Sequence, residues 1–192
     1  MSETQTHIER LRALRKSIFE AMDGLSAAGL NWKPTRRETN SAFVLATHLL
    51  GSEKHWIHHV VGGREILRDR DAEFSARGKD IASLRDSFDA LARETEAILT
   101  PLSSVDYDAS RDTMNYGHVT VRWVVLHMVE HYAEHVGQIS LTRQVWEERA
   151  KSLKPKAKSN QRNVPAKKKS VKRDKRGTNA VREGSNILRY WS

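Results

Sequence analysis

The sequence predicts an all-α protein, with a four-helix bundle in residues 1–150 followed by a disordered basic tail in residues 151–192. Three observations support this prediction. Apolar residues recur at steps of three and four in four long stretches, which is the spacing of one helix face. No series of alternating apolar and polar residues indicates a set of strands. The apolar pattern is lost after residue 150, where lysine and arginine dominate.

The net charge of +9 is the sum of the net charges of two regions, which have opposite signs. Residues 151–192 hold 14 lysine and arginine residues against Asp174 and Glu183, a net charge of +12. Of the 33 basic and 24 acidic residues in the whole chain, 19 and 22 remain for residues 1–150, a net charge of −3. The tail is too highly charged to pack a core, and we expect it to be disordered.

The composition excludes several classes of protein. The chain has no cysteine, which excludes a disulfide scaffold, a thiolate metal cluster, a cysteine nucleophile and a thioredoxin-like site. Any metal site must therefore be built from histidine, aspartate or glutamate. No apolar run approaches the roughly 18 residues of a membrane span, and the polar start of the chain lacks the regions of a signal peptide. We expect a soluble protein of the cytoplasm.

The first helix is predicted from about Thr6 to Ala28. Its apolar face consists of Ile8, Leu11, Leu14, Ile18, Ala21, Met22 and Leu25. Glycine is permissive at a helix C-terminus, so Gly29 is the predicted stop. In the turn that follows, Pro34 excludes a helix interior.

The second helix is predicted to begin at one of three residues whose side chains cap helices, namely Thr39, Asn40 and Ser41. Its pattern continues to Val61, where a pair of glycines breaks it. The charged residues 64–79 are expected to mix loop and helix.

The third helix is predicted to begin at about Asp80 and to end before Pro101. We expect an irregular connection over residues 100–118. The fourth helix is predicted from about Thr120 to Ala150, and its apolar stripe consists of Val121, Val125, Met128, Tyr132, Val136 and Ile139.

Histidine is concentrated in two of these helices. The second helix carries His48, His55, His58 and His59, and the fourth carries His127, His131 and His135. Residues four apart lie one turn apart on the same helix face, so two imidazoles at that spacing can bind one ion. A polar helix edge without an ion can have the same spacing.

Helical-wheel angles distinguish the three histidines of the fourth helix. At roughly 100° per residue from Val121, in the apolar stripe, His135 lies about 40° away, His131 about 80° and His127 about 120°. His131 and His135 can therefore point inward from the edge of the core, whereas His127 is expected beside them or in solvent. Glu134, at about 140°, is expected in solvent. The wheel does not select a partner among the histidines of the second helix.

Two motifs surround these positions. In the fourth helix, a His-x-x-x-His pair formed by His131 and His135 is followed directly by Val-Gly-Gln-Ile and, further on, by Arg143. Before the second helix, residues 30–34 read Leu-Asn-Trp-Lys-Pro, and the apolar helix that follows contains His48. Together the motifs resemble those of the DinB-like (YfiT-like) superfamily of metal-binding four-helix bundles, which is related to the N-terminal domain of mycothiol-dependent maleylpyruvate isomerase.

This resemblance implies a bundle with crossover connections and a divalent metal ion held by His48, His131 and His135. Three protein ligands leave positions open for water or a thiol. His127 and Gln138 are candidates for contacting the ligands and holding them in place. Zinc is the first choice for three imidazoles, with nickel, iron, manganese or copper as alternatives.

The resemblance also implies an enzyme acting on a small molecule, either a thiol-dependent S-transferase or isomerase or a metal-dependent hydrolase. Its co-substrate would be a low-molecular-weight thiol such as mycothiol or bacillithiol, and bundles of this type often form homodimers. The alternative is a non-catalytic metal-binding or scaffold bundle. Its basic tail, residues 151–192, would contact the phosphates of nucleic acid without sequence specificity.

Overall fold

The computed structural model describes residues 2–35, 39–114 and 116–153. All but the first three residues of the predicted basic tail therefore lie outside the described part, as does Asn115 of the predicted irregular connection. The elements in chain order are α1 (Glu3–Met22), α2 (Ala27–Leu30), α3 (Ala42–Glu53), a π-helical segment (Lys54–Val61), α4 (Arg70–Ser75), α5 (Ala82–Leu99), α6 (Ser104–Asp108), β1 (Ser110–Thr113), β2 (Gly117–Thr120) and α7 (Val121–Ser152).

The prediction of a predominantly helical chain is confirmed, but the expectation of no strands is wrong. β1 and β2 form an antiparallel hairpin within the connection predicted to be irregular. Thr113 stabilises its turn by accepting from the amide of Tyr116 (3.2 Å) and donating to the carbonyl of Gly117 (2.8 Å). Gly117 has a φ of +64°, which favours glycine. Strands of four mostly polar residues carry too little alternation to be found from sequence.

The first helix ends earlier than predicted. α1 ends at Met22 because Gly24 adopts a φ of +71°, a left-handed conformation that terminates helices. Ser26 then caps α2 by accepting from the amide of Gly29 (3.2 Å). Gly29, the predicted stop, therefore lies inside α2, where an added Cβ would lie 2.7 Å from Nε1 of Trp146. The apolar periodicity continues past the break and hides it.

The second predicted helix has the expected limits but not a uniform structure. Ser41 caps its start, and the helix ends at Val61, with Gly62 as its C-cap. Over Lys54–Val61 the turn widens, so that the amide of Gly62 donates to a carbonyl five residues earlier (2.9 Å). The wider turn changes which side chains face the core: His58 is buried, whereas Val60 is partly exposed.

The third and fourth predicted helices correspond to α5 and α7. The side chain of Asp80 accepts from the first amide of α5 (2.9 Å), and that of Thr120 caps α7. Arg143 of α7 donates to the carbonyls of Glu20 (3.1 Å) and Ala21 (3.2 Å). It thereby satisfies carbonyls that the end of α1 leaves without helical partners.

The core lies between α1, α3 with its π-helical segment, α5 and α7, whose buried apolar residues form one cluster. Its largest fully buried side chains include Leu11, Ile18, Leu49, Ile57, Phe88, Leu91, Met128 and Tyr132. In the described residues, no helix has both the length and the apolar content needed to cross a membrane.

A buried ion pair lies where these helices meet. Arg15 of α1 donates to Glu53 of α3 through Nε (3.1 Å) and through Nη2, and Glu53 is fully buried. Thr95 of α5 and Tyr132 of α7 also donate to this carboxylate. Burial would lower the pKa of Arg15, but the charge of Glu53 raises it, so the guanidinium stays charged. Burial and Glu53 together raise the pKa of Tyr132, which keeps its hydroxyl proton.

We expect Arg15→Met to lower the free energy of unfolding by about 3–5 kcal/mol, because it leaves the charge of Glu53 buried without its partner. The double variant Arg15→Met/Glu53→Gln should recover most of this loss, since glutamine is neutral: its oxygen can accept from one of the hydroxyls of Thr95 and Tyr132, and its NH2 group can donate to the other. Urea unfolding followed by circular dichroism measures both effects.

The matched control is Arg12→Met on the same helix. Arg12 pairs with Glu96 at the surface (2.9 Å), where the arginine side chain is 60% exposed. Removal of such a pair should change the free energy of unfolding by about 0–1 kcal/mol. Equal losses in the Arg12 and Arg15 variants would contradict a special role for the buried pair.

Candidate metal centre

Three histidines from two helices converge at the edge of the core. His48 lies on α3, and His131 and His135 lie one turn apart on α7. One ring nitrogen of each histidine lies within 4.8 Å of those of the other two, and all three side chains are buried. These are the three residues that the family resemblance implies as metal ligands.

The closest approach in this group joins the two histidines of α7. Nε2 of His131 lies 2.9 Å from Nε2 of His135. Two nitrogen lone pairs at this distance repel one another unless a proton or a cation lies between them. The ring of His48 is steeply inclined to both of these rings. Its centroid lies 5.1 Å from that of His131 and 5.5 Å from that of His135. The arrangement therefore suits a shared cation.

The two α7 histidines are neutral over the ordinary pH range. Burial, with a smaller contribution from the neighbouring histidines, lowers the pKa of His131 to about 2. Burial also lowers the pKa of His135 to about 4, although its hydrogen bond to Gln138 opposes this shift. A neutral imidazole keeps the lone pair with which histidine binds metal ions. The donor set therefore fits a divalent metal ion.

His135 is held by residues of its own helix. Its Nδ1–H donates to Oε1 of Gln138 (2.8 Å), and Nε2 of Gln138 donates to Glu134 (2.9 Å). This bond leaves Nε2 of His135 free to accept, on the side that faces the other histidines. Gln138, one of the two residues predicted as candidates for holding the ligands, thus contacts His135 directly. The expectation that Glu134 is in solvent is wrong, because it is half-buried and holds Gln138.

His48 is held by residues far from it in sequence. Its Nδ1–H donates to Oε2 of Glu73 on α4 (3.0 Å). Arg68 donates to both oxygens of Glu73, from Nε to Oε1 (2.7 Å) and from Nη2 to Oε2 (2.9 Å). Burial would raise the pKa of Glu73, but the hydrogen bonds from His48 and Arg68 outweigh it and lower the pKa to about 2. The carboxylate is therefore ionised.

The sequence analysis missed Glu73 and Arg68. Both lie in the charged stretch over residues 64–79, where no apolar periodicity shows which side chains point inward. Asp69, whose side chain accepts from the amide of Ala72 (2.9 Å), is a signal for the start of α4. It does not identify the carboxylate that turns toward the core.

His127 is not in solvent, which corrects one of the two expectations for it. Its ring is only 5% exposed and stacks on Trp123 at a centroid distance of 4.9 Å and an angle of 6°. The ring of Trp56 is steeply inclined to that of His127 at a centroid distance of 4.9 Å, and the ring of His131, one turn further along α7, lies at 5.8 Å. His127 therefore separates an aromatic cluster from His131, and burial lowers its pKa.

The remaining histidines of the second predicted helix have other partners. Nε2–H of His58 donates to Oγ1 of Thr95 (3.1 Å), and Nδ1–H of His59 donates to the carbonyl of Arg64 (2.7 Å). His55 lies between Trp56 and His59 in the π-helical segment. The structure therefore brings only His48, of these four, to the α7 pair.

A predominantly helical fold with a buried three-histidine group is typical of the DinB/YfiT-like class. The chain belongs to the mycothiol-S-transferase family of that class, whose family model matches residues 7–148. A search of the curated proteins finds no match.

Among solved structures, the chain is similar to a conserved protein of a locus from Enterococcus faecalis. The TM-score is 0.59 at 16% sequence identity, and the match covers 76% of this chain and 97% of that one. At this level of identity the likeness shows a shared fold.

We expect the protein, purified without a histidine tag or chelator, to contain about one divalent ion per chain. His135→Ala should abolish this content, because it removes one of three ligands. Elemental mass spectrometry measures the metal, and circular dichroism checks that the variant is folded. His118→Ala, at an exposed hairpin position, is the matched control and should retain the ion. Full metal content in a folded His135→Ala protein would contradict the assignment.

Proposed function

We propose that the protein is a metal-dependent thiol S-transferase that uses a divalent ion held by His48, His131 and His135. Its co-substrate would be a low-molecular-weight thiol of the mycothiol type, and its second substrate a small electrophile. In the transfer, the thiol loses its proton, the sulfur forms a bond to the electrophilic atom, and the leaving group of the electrophile departs.

The observation that carries this proposal is the buried three-histidine group in a chain of the mycothiol-S-transferase family. A divalent ion would supply Lewis acidity, which lowers the pKa of a thiol or water that reaches it. Zinc is our first choice, with nickel, iron or manganese as alternatives.

The chain's own residues would bind the ion and orient its ligands. The three imidazoles occupy three positions, and the others stay open to a small molecule, as in catalytic rather than structural metal sites. Hydrogen bonds from Nδ1–H of His48 to Glu73 and from Nδ1–H of His135 to Gln138 direct the Nε2 atoms of both rings toward the ion.

The absence of cysteine is consistent with this chemistry. The sequence contains no thiol that could act as a nucleophile. The sulfur would therefore come from the co-substrate, and the protein's role would be to lower the pKa of that thiol and to position it.

We further propose that α1, α3 with its π-helical segment, α5 and α7 form the four-helix bundle of the DinB/YfiT type. The homodimer stays a prediction. So does the contact of residues 151–192 with nucleic acid, because nearly all of that tail lies outside the described residues.

The transferase proposal predicts that the zinc-loaded protein consumes mycothiol in the presence of an electrophile such as monochlorobimane. Formation of the fluorescent conjugate measures the rate, with bacillithiol and glutathione as comparison thiols. His131→Ala should lower kcat/KM by about 100-fold or more, because the loss of Lewis acidity removes several kcal/mol of stabilisation of the developing negative charge. His118→Ala should leave it unchanged.

A different result would support the alternative function. If the protein binds one zinc ion per chain but consumes none of the three thiols above the background rate, the transferase proposal is wrong. The chain would then be a metal-binding bundle without thiol turnover.

A further inference from the structure

The segment that begins at Arg68 and includes α4 contacts His48 with two consecutive side chains. The carboxylate of Glu73 accepts from Nδ1–H of the imidazole (3.0 Å). The ring of Phe74 packs against the same imidazole, with 4.9 Å between centroids and 34° between planes. The guanidinium of Arg70 lies over the ring of Phe74, at 5.6 Å from its centroid. Both the orientation and the position of the His48 ring are thus set by one short helix.

Arg68 fixes the carboxylate that contacts His48. Its guanidinium donates to both oxygens of Glu73, and this bidentate geometry prevents the carboxylate from rotating. Nη2 of Arg68 also donates to Oγ of Ser52 (3.0 Å), which lies 3.4 Å from Nε2 of His48. Arg68 and Glu73 together form a clamp on His48. This clamp contacts α3 on both sides of the imidazole ring.

Gly51 provides the space in which this carboxylate lies. A Cβ built on Gly51 would be 1.9 Å from Oε1 and 2.5 Å from Cδ of Glu73. Any other residue at this position would have to push the carboxylate away from α3. Because Gly51 is helical, its role here is steric and does not come from a special backbone conformation.

We infer that Gly51, Arg68 and Glu73 are positioning residues of the metal centre, which hold His48 with Nε2 directed toward the ion. This inference rests on the proposed function, in that His48 must be a metal ligand. A carboxylate that accepts from the second nitrogen of a metal-binding histidine fixes its tautomer and its orientation, and loss of such a partner weakens metal binding by about 10–100-fold.

The first test measures zinc affinity of the full-length protein by competition with a chromogenic chelator. Glu73→Gln should raise the dissociation constant for zinc by about 10–100-fold, because the clamp loses its charge and one acceptor oxygen. Asp71→Asn removes the same charge from an exposed position of the same helix and should leave the constant within about twofold of the wild type. Equal constants for the wild type and the Glu73 variant would overturn the inference.

The second test disturbs the clamp without changing any charge or ligand. Gly51→Ala should raise the dissociation constant for zinc in the same direction as Glu73→Gln. Gly137→Ala is the matched control, because it lies between His135 and Gln138 on α7 and an added Cβ there meets nothing within 4 Å. If the Gly51 and Gly137 variants bind zinc equally well, the steric part of the inference is wrong.

A third measurement needs no metal and no activity. In nitrogen-15 NMR spectra of the metal-free protein, His48 should be protonated at Nδ1, and Glu73→Ala should populate the other tautomer. Protonation at Nε2 in the wild type would overturn the inference.

The outcomes separate the inference from the proposed function. If the wild type binds no zinc, both fail. If it binds zinc and transfers thiols while the Glu73 and Gly51 variants bind zinc normally, only the inference fails.

Discussion

The buried ion pair between Arg15 and Glu53 fixes the relative positions of the helices that carry the three histidines. Glu53 is the last residue of α3, five residues after His48, and it accepts from Tyr132, which directly follows His131 on α7. The same carboxylate holds Arg15 of α1 and Thr95 of α5. A polar contact shared by four helices has fewer acceptable geometries than apolar packing, because each buried hydrogen bond must keep its length and direction. The distance between α3 and α7 follows from it.

The three histidines differ in what orients them. His135 depends on Gln138, three residues away on the same helix, so its support forms whenever α7 forms. His48 depends on Glu73, 25 residues away, and is correctly oriented only when the segment before α5 has packed. Nδ1 of His131 has no hydrogen-bond partner among the described residues, and its ring is held by stacking on His127. The three histidines are therefore held by two supports within α7 and one tertiary support.

The parts of the structure that could be predicted from sequence are those that local rules determine. Ser41 and Thr120 cap helices that begin where predicted, and the four-residue spacing places His131 and His135 on one face. The break at Gly24 could not be found, because the apolar pattern continues across it. Arg15 did carry a signal, since it lies in the apolar row between Leu11 and Ile18, where a buried partner is required. The π-helical turn and the contact between α4 and α3 depend on tertiary packing and leave no periodicity.

The charge balance of the site connects its geometry with its chemistry. Among the described residues, the ionised groups that contact the three imidazoles are Glu73 and Arg68, and they neutralise each other. The histidines of α7 are neutral, so a divalent ion would bring two positive charges into a buried region without a compensating anion from the protein. Buried charge is costly unless it is paired. An anionic ligand at an open position of the ion would therefore be favoured over a neutral one, and a thiol is more acidic than water. With such an ion bound, the site would favour deprotonation of a thiol that reaches it.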